Sequence, residues 1–342
     1  MSHVLLQVVT CMAECKFGAE VGQMLGVARS FGADGPLWAV YHGHKGPRGR
    51  KRLMYAAMVG QLERAQFLLE RGAEVDARDA QGCTALMLAS GHGKVAVARL
   101  LVERGGASVN AVCTDSGMTA LMWASQDGHL EIARLLVECE SIDVNAARTT
   151  DEMTALMMAS MYGLEIARLL LKCEGIDVNA ACTIDGTTAL MWACLDGHLE
   201  IVRLLVESRG IDVNAARTDT GMTSLMWASQ KDHLDIARLL VECEGIDVHA
   251  ARTTDGMTAL MGASQEGHLE IASLLVECEG IDVNAATTDD GTTALMLASH
   301  KSHLPLVLLL LQHAADKTLA NHQGETAAQL ARAHPEILEA LA

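Results

Sequence analysis

From Thr119 onward the chain places Leu121, Ala124, Ser125 and Gly128 at i, i+3, i+4 and i+7, one face of a short helix. Thr119 is a suitable N-cap, and Gly128-His129 breaks the run. Leu130, Ile132, Ala133, Leu135 and Leu136 then form the apolar side of a second amphipathic helix, opened by Glu131, whose charge suits a helix N-terminus. The pattern predicts a helical hairpin. A polar, turn-rich segment follows, "SIDVNAARTTDE" here and "GIDVNAARTDTG" at residues 210–221, which predicts a projecting loop or β-turn finger. The first helix is built from small residues, so a neighbouring helix can approach closely. One such hairpin cannot cover its own apolar side, so it must share a core with others.

The chain supplies the others. The threonine that opens each hairpin recurs at Thr84, Thr119, Thr154, Thr188, Thr223, Thr258 and Thr293, at steps of 35, 35, 34, 35, 35 and 35 residues, with a weaker copy at Thr326. Ahead of Thr84, "RLMYAAMVGQLERAQFLLERGAEVDARDAQG" carries the same pattern without its threonine. Nine units are expected: an atypical first over 51–82, seven full ones over 83–323 and a capping unit over 324–342. A fixed period of this size marks a solenoid in which each unit stacks on the next.

Two stretches, "DGMTALMGASQEGHLEIASLLVECEGIDVNA" from Asp255 to Ala285 and "DAQGCTALMLASGHGKVAVARLLVERGGASVNA" from Asp79 to Ala111, resemble ankyrin repeats. The resemblance implies an all-α ankyrin-repeat solenoid of about nine stacked helix-turn-helix units with β-turn fingers. Some departures matter. Where the family commonly has Pro then His, this chain has Ala120 and Met122, or Ala259 and Met261, so the family's Thr–His contact is lost and packing is expected to replace it. Glu152 stands where other units have Gly117, Gly186, Gly221, Gly256 and Gly291, and "SMYGLEI" omits the histidine of "SQDGHLEI". A weaker or slightly bent stack is expected around residues 150–165.

Composition agrees with helices: 50% of the 342 residues are hydrophobic but only 3% are aromatic. A formal charge of −17 argues against nucleic acid and anionic membrane partners. No apolar run approaches the ~18 residues of a membrane span. The N-terminal apolar stretch lacks a preceding Lys or Arg and is interrupted by Gln7, so no secretory signal is expected. These readings predict an intracellular, cytoplasmic monomer. The basic run His44–Arg52 reads as a solvated loop or as a nuclear address. Residues 1–50, with Phe17, Phe31, Trp38 and Tyr41, read as a helical cap or a separate docking element.

Ten cysteines raise the question of disulfides or metal. Cys139, Cys173, Cys243 and Cys278 occupy one place in successive second helices, with Ser208 in the gap. Stacked helices lie ~8 to 10 Å apart. Disulfides need Cα atoms within about 7 Å, so these are expected as reduced thiols in a reducing compartment. Cys11 and Cys15 lack a second pair at zinc-site spacing. The turn histidines His129, His198, His233, His268 and His303 form a row rather than a cluster, and resemblance implies that they cap neighbouring backbone. Rows of identical groups do not bring a nucleophile to its base, and no G-x-S-x-G, H-E-x-x-H or Walker-type sequence occurs. No catalysis, metal or cofactor is expected.

What remains is surface. The resemblance implies a concave face of fingers and exposed first-helix sides that holds a protein or peptide partner. Carried across unit by unit, it comprises Met118, Gln126 and Asp127, then Met153, Met161 and Tyr162, then Thr187, Leu195 and Asp196. Met222, Gln230 and Lys231 follow, and then Met257, Gln265 and Glu266. Trp123, Trp192 and Trp227, two residues after a core leucine, read either as groove anchors or as packing between first helices. Other units hold Met158, Gly262 or Leu297 there. The finger asparagines Asn110, Asn145, Asn179, Asn214 and Asn284 read as turn hydrogen-bonders, and by resemblance as asparagine-hydroxylase targets. The leading function is a non-catalytic interaction scaffold. The alternative is a substrate-recruiting adaptor for a separate enzyme such as a ubiquitin ligase or kinase.

Overall fold

The computed structural model describes residues 52–331 and 334–342, so the readings made on residues 1–50, Cys11 and Cys15 included, lie outside the described residues. Among the described residues eighteen helices pair into nine antiparallel hairpins, from Arg52–Val59 with Leu62–Glu70 to Ala327–Leu330 with Pro335–Leu341, and no strand is formed. Thr84, Thr119, Thr154, Thr188, Thr223, Thr258 and Thr293 each cap a first helix through a hydroxyl that accepts from the backbone N–H three residues on. Methionine takes over part of the expected histidine role. The N–H groups of Thr84 and Thr119 donate to the Sδ atoms of Met87 and Met122, both at 3.4 Å. Packing is therefore not the whole replacement for the lost threonine–histidine contact.

One continuous core runs the length of the stack. Its inner seam is small: Ala89, Ala124, Ala159, Ala193, Ala228, Ala263 and Ala298 are all 0% exposed. Next to each lies Ser90, Ser125, Ser160, Cys194, Ser229, Ser264 or Ser299, also fully buried. These slim side chains let first helices pack on one another more closely than second helices do. Closer packing in one layer is the arrangement that bends a stack of repeats toward that layer.

The turns between helices need a left-handed residue, usually glycine, as at Gly128, Gly197 and Gly267. Asp232 and Ser302 take that place at φ 62° and 68°. Each is tied to the histidine of the next unit: Asp232 Oδ1 lies 3.4 Å from His268 Nδ1, and Ser302 Oγ lies 2.5 Å from His334 Nε2. Glu152 is left-handed as well, at φ 61°. Restoring glycine there, Glu152→Gly, is expected to stabilise the chain by about 1 kcal/mol, read as a shift in urea midpoint; an unchanged or lower midpoint would show that no strain resides at this residue.

Fingers are tied to their neighbours through asparagine. Asn179 Nδ2 donates to Gly210 O at 2.7 Å and its Oδ1 accepts from Asp212 N at 2.9 Å. The same pair of bonds is made by Asn110, Asn145, Asn214 and Asn284. His249 occupies the corresponding position and makes neither bond, so one rung is missing. His249→Asn should add the rung and about 1 kcal/mol of stability, with slower amide exchange at Asp282. Exchange at Asp282 as fast as before would refute the prediction.

Candidate functional site: the concave face

The fingers from Ala147 onward close on themselves through isolated bridges such as Ala147 to Thr154 and Ala216 to Thr223. Successive fingers are joined by backbone bonds, Thr183 N to Asp151 O at 2.9 Å and Thr218 N to Asp185 O at 2.8 Å among them. Arginines brace the fingers, two of them within one finger. Arg148 Nε donates to Asp151 Oδ1 at 2.7 Å, and Arg252 Nε to Asp255 Oδ1 at 2.9 Å. Arg217 spans two fingers, reaching Asp219 through Nε at 2.9 Å and Asp185 through Nη2 at 2.9 Å. The carboxylates respond. The Arg217 guanidinium holds the Asp219 carboxyl down at about 2, and Arg148 likewise lowers Asp151. A carboxyl lowered on folding stabilises the folded chain above its unfolded value, 3.8 here, and the stabilisation is lost as pH falls through the folded value. The finger row should therefore loosen between about pH 4 and pH 2, seen as a falling melting temperature that Asp219→Asn makes flatter over that range.

Of the side chains expected on the concave face, Asp127, Tyr162, Asp196, Lys231 and Glu266 are exposed. Gln126, Met161, Leu195, Gln230, Met257 and Gln265 are half-buried. Four expectations are corrected: Met118, Met153, Thr187 and Met222 are buried and belong to the core. They precede the N-cap threonine, where the finger turns back under the first helix, so their side chains point into the stack. Trp123, Trp192 and Trp227 lie between the two readings made of them, half-buried and packed against the core. The Trp123 ring covers Gly91 of the preceding first helix so closely that a Cβ there would come within 3.3 Å of it.

Sequence reasoning missed Ile184. It is 70% exposed at a finger tip, more than Tyr162 at 66%. The signal was present, because "TID" stands where other tips read "TDS", "TTD", "TDT" and "TDD".

Four of the five turn histidines, His129 excepted, cap backbone. His198 Nε2 meets Met161 O at 2.7 Å, and His233, His268 and His303 reach Leu195 O, Gln230 O and Gln265 O at 3.3, 3.1 and 3.2 Å. Among the described residues no group of three or more His, Cys, Asp or Glu is placed to hold a metal ion.

The four helix-end cysteines are free thiols. Each Sγ donates to the carbonyl four residues back, at 3.3 to 3.6 Å. Burial pushes all four thiols up, so they serve as helix-end donors rather than nucleophiles. The expectation of reduced thiols thus holds for these four, while a pair outside that expectation, Cys83 and Cys113, forms a disulfide across adjacent fingers, with Cα atoms 4.5 Å apart. Cys83 precedes an N-cap threonine and Cys113 opens the next finger, and the repeat puts Met153 and Cys182 in the same relation. Met153→Cys should form a second bridge with Cys182 under oxidising conditions, detected as a reducible mass loss of two hydrogens; two persistent free thiols would contradict the equivalence of the joints.

Comparison with known sequences agrees with this geometry. A family model of three tandem ankyrin repeats matches residues 53–148, 108–182, 142–217 and 214–287, and a single-repeat model matches 290–322. The chain belongs to the ankyrin repeat family. Two chains of Rickettsia felis named as ankyrin repeat proteins are each 51% identical to it over 43 residues, which is 13% of this chain and 68% and 65% of theirs. Ankyrin repeats are in general protein-interaction modules rather than enzymes. No helix among the described residues is long and apolar enough to cross a membrane.

Proposed function

We propose that this protein is a non-catalytic scaffold whose concave face, formed by the fingers and the exposed ends of the first helices, holds a protein or peptide partner. The observation that carries this reading is the exposure of Ile184 and Tyr162 on neighbouring units of that face, 70% and 66%, within a row of otherwise polar tips and helix ends. Exposed apolar side chains on an ordered, tied surface lose little conformational freedom on contact, which suits them as anchors.

The half-buried tryptophans are poor probes, since truncating them opens the packing between first helices. Ile184→Asp with Tyr162→Ser is the cleaner test, because neither side chain supports the core. Partners are captured on immobilised wild type, identified, and re-measured one at a time. The double variant should melt like wild type and bind at least about tenfold more weakly. Unchanged affinity for every partner would refute the reading. An adaptor that recruits substrate to a separate enzyme would use the same face, so this test bears on both roles.

A further inference from the structure

Among the described second helices, one carries no charged residue. Elsewhere the second and fifth positions hold charges, as with Glu131 and Arg134, Glu200 and Arg203, or Asp235 and Arg238. In the helix Leu304–Gln312, "LPLVLLLLQ", those two positions are Pro305 and Leu308, and Gln312 stands where Glu277 closes the neighbouring helix. Proline suits a helix start, so Pro305 has a local reason. Leu308 has none. It is 44% exposed, and Leu269, on the adjoining helix Leu269–Val276, is 40% exposed. Leu304 and Leu311, four residues before Leu308 and three after it, lie on the same side and are half-buried. Single exposed leucines are ordinary, but these form one strip on a helix that has no polar face. Its borders are acidic. Glu270 and Glu277 on one side, and Glu336 and Glu339 of Pro335–Leu341 on the other, are exposed, and both of their helices pack beside Leu304–Gln312.

We propose that the solvent side of helix Leu304–Gln312 receives a short amphipathic helix of a partner protein, with Lys or Arg along both borders of its apolar stripe. This surface belongs to the second helices, away from the fingers, and stands without the reading of the concave face. Charge selects the occupant. Two copies of this chain facing each other here would bring carboxylate borders together in either two-fold arrangement, which opposes self-association. An anionic membrane is repelled for the same reason. Between Arg252 and Lys301 the chain has no Lys or Arg, and Lys301 and Lys317 lie beyond the two ends of helix Leu304–Gln312, which leaves its sides to the carboxylates. Shape agrees with charge. Leu304, Leu308 and Leu311 make a strip about 10 Å long, which a partner helix with apolar residues at i, i+4 and i+7 can follow while its basic neighbours reach either border.

The probe is a leucine–lysine peptide of about five helical turns, with leucines on one stripe and lysines on both borders. A scrambled peptide of the same composition and a version with glutamate for lysine are the controls. Each is titrated by fluorescence anisotropy against the full chain and against Leu308→Arg, Leu308→Ser and Ile184→Asp. Arg238 and Ser273 hold the equivalent position in the two preceding units, so both variants at 308 should melt like wild type. Affinity for the striped peptide is expected to fall at least about tenfold with Leu308→Arg and with scrambling, and about threefold with Leu308→Ser, which leaves the net charge unchanged. Ile184→Asp should change nothing, and the glutamate peptide should not bind. No binding of the striped peptide to wild type, equal binding to both variants at 308, or equal binding of the scrambled peptide overturns the proposal. A loss caused by Ile184→Asp instead would put the peptide on the fingers and overturn it too. So would a dimer in sedimentation equilibrium that Leu308→Arg dissolves, or attachment to phosphatidylcholine vesicles that Leu308→Arg abolishes, since each assigns the strip to a different occupant.

Discussion

Replacing Leu136 by alanine should lower the unfolding free energy by about 2–5 kcal/mol, the largest loss expected from a single truncation in this chain. Leu136 is 0% exposed in the second helix Leu130–Val137, within a core that runs uninterrupted between hairpins. The lost methyl groups account for part of the effect and the cavity for the rest, since helices tied on both sides cannot collapse into it. A stack whose units touch only their neighbours also transmits stability only through neighbours. Urea unfolding of Leu136→Ala, followed by circular dichroism, should therefore broaden or split as the parts on either side melt separately. A loss below about 1 kcal/mol with one sharp transition would show that stability is not carried by these interfaces.

Gly197→Val should be nearly as damaging, by about 2 kcal/mol or more. Gly197 has φ 77°, and a Cβ there would lie 2.6 Å from His233 Cε1. A β-branched side chain therefore meets both a disfavoured backbone and the ring of the next unit, whose Nε2 must stay on Leu195 O. Asp232 and Ser302 survive in equivalent positions because each offers the neighbouring histidine a polar partner, which valine lacks. Thermal melting of Gly197→Val beside Gly197→Asp separates the causes. The aspartate should recover part of the loss, and two variants of equal stability would remove the histidine from the explanation.

Much of the fold was legible because stacking writes the same requirement into every unit. Threonine must cap, alanine and serine must be thin, and glycine must turn, so the period exposed all three. The candidate surface was less legible. Periodicity assigns a residue to a helix face, but whether a finger tucks under that helix depends on contacts between units, and so Met118, Met153, Thr187 and Met222 were misjudged. What the period hides is the exception. Ile184 and Gly262 differ from their equivalents by single letters, and the Cys83–Cys113 bond joins two residues 30 apart that meet only after stacking. Departures from the repeat carried more about the surface than the repeat did.

The covalent tie between the first and second described fingers gives the rod a direction. Among the described residues it is the only joint that cannot part by breaking weak bonds alone, and it lies near the N-terminal end. Pulled at both ends, the chain should shed its hairpins from the last one, Ala327–Leu330 with Pro335–Leu341, inward, one sawtooth of force after another. The segment around Cys83 should be the last to give way, and reducing agent should erase that polarity.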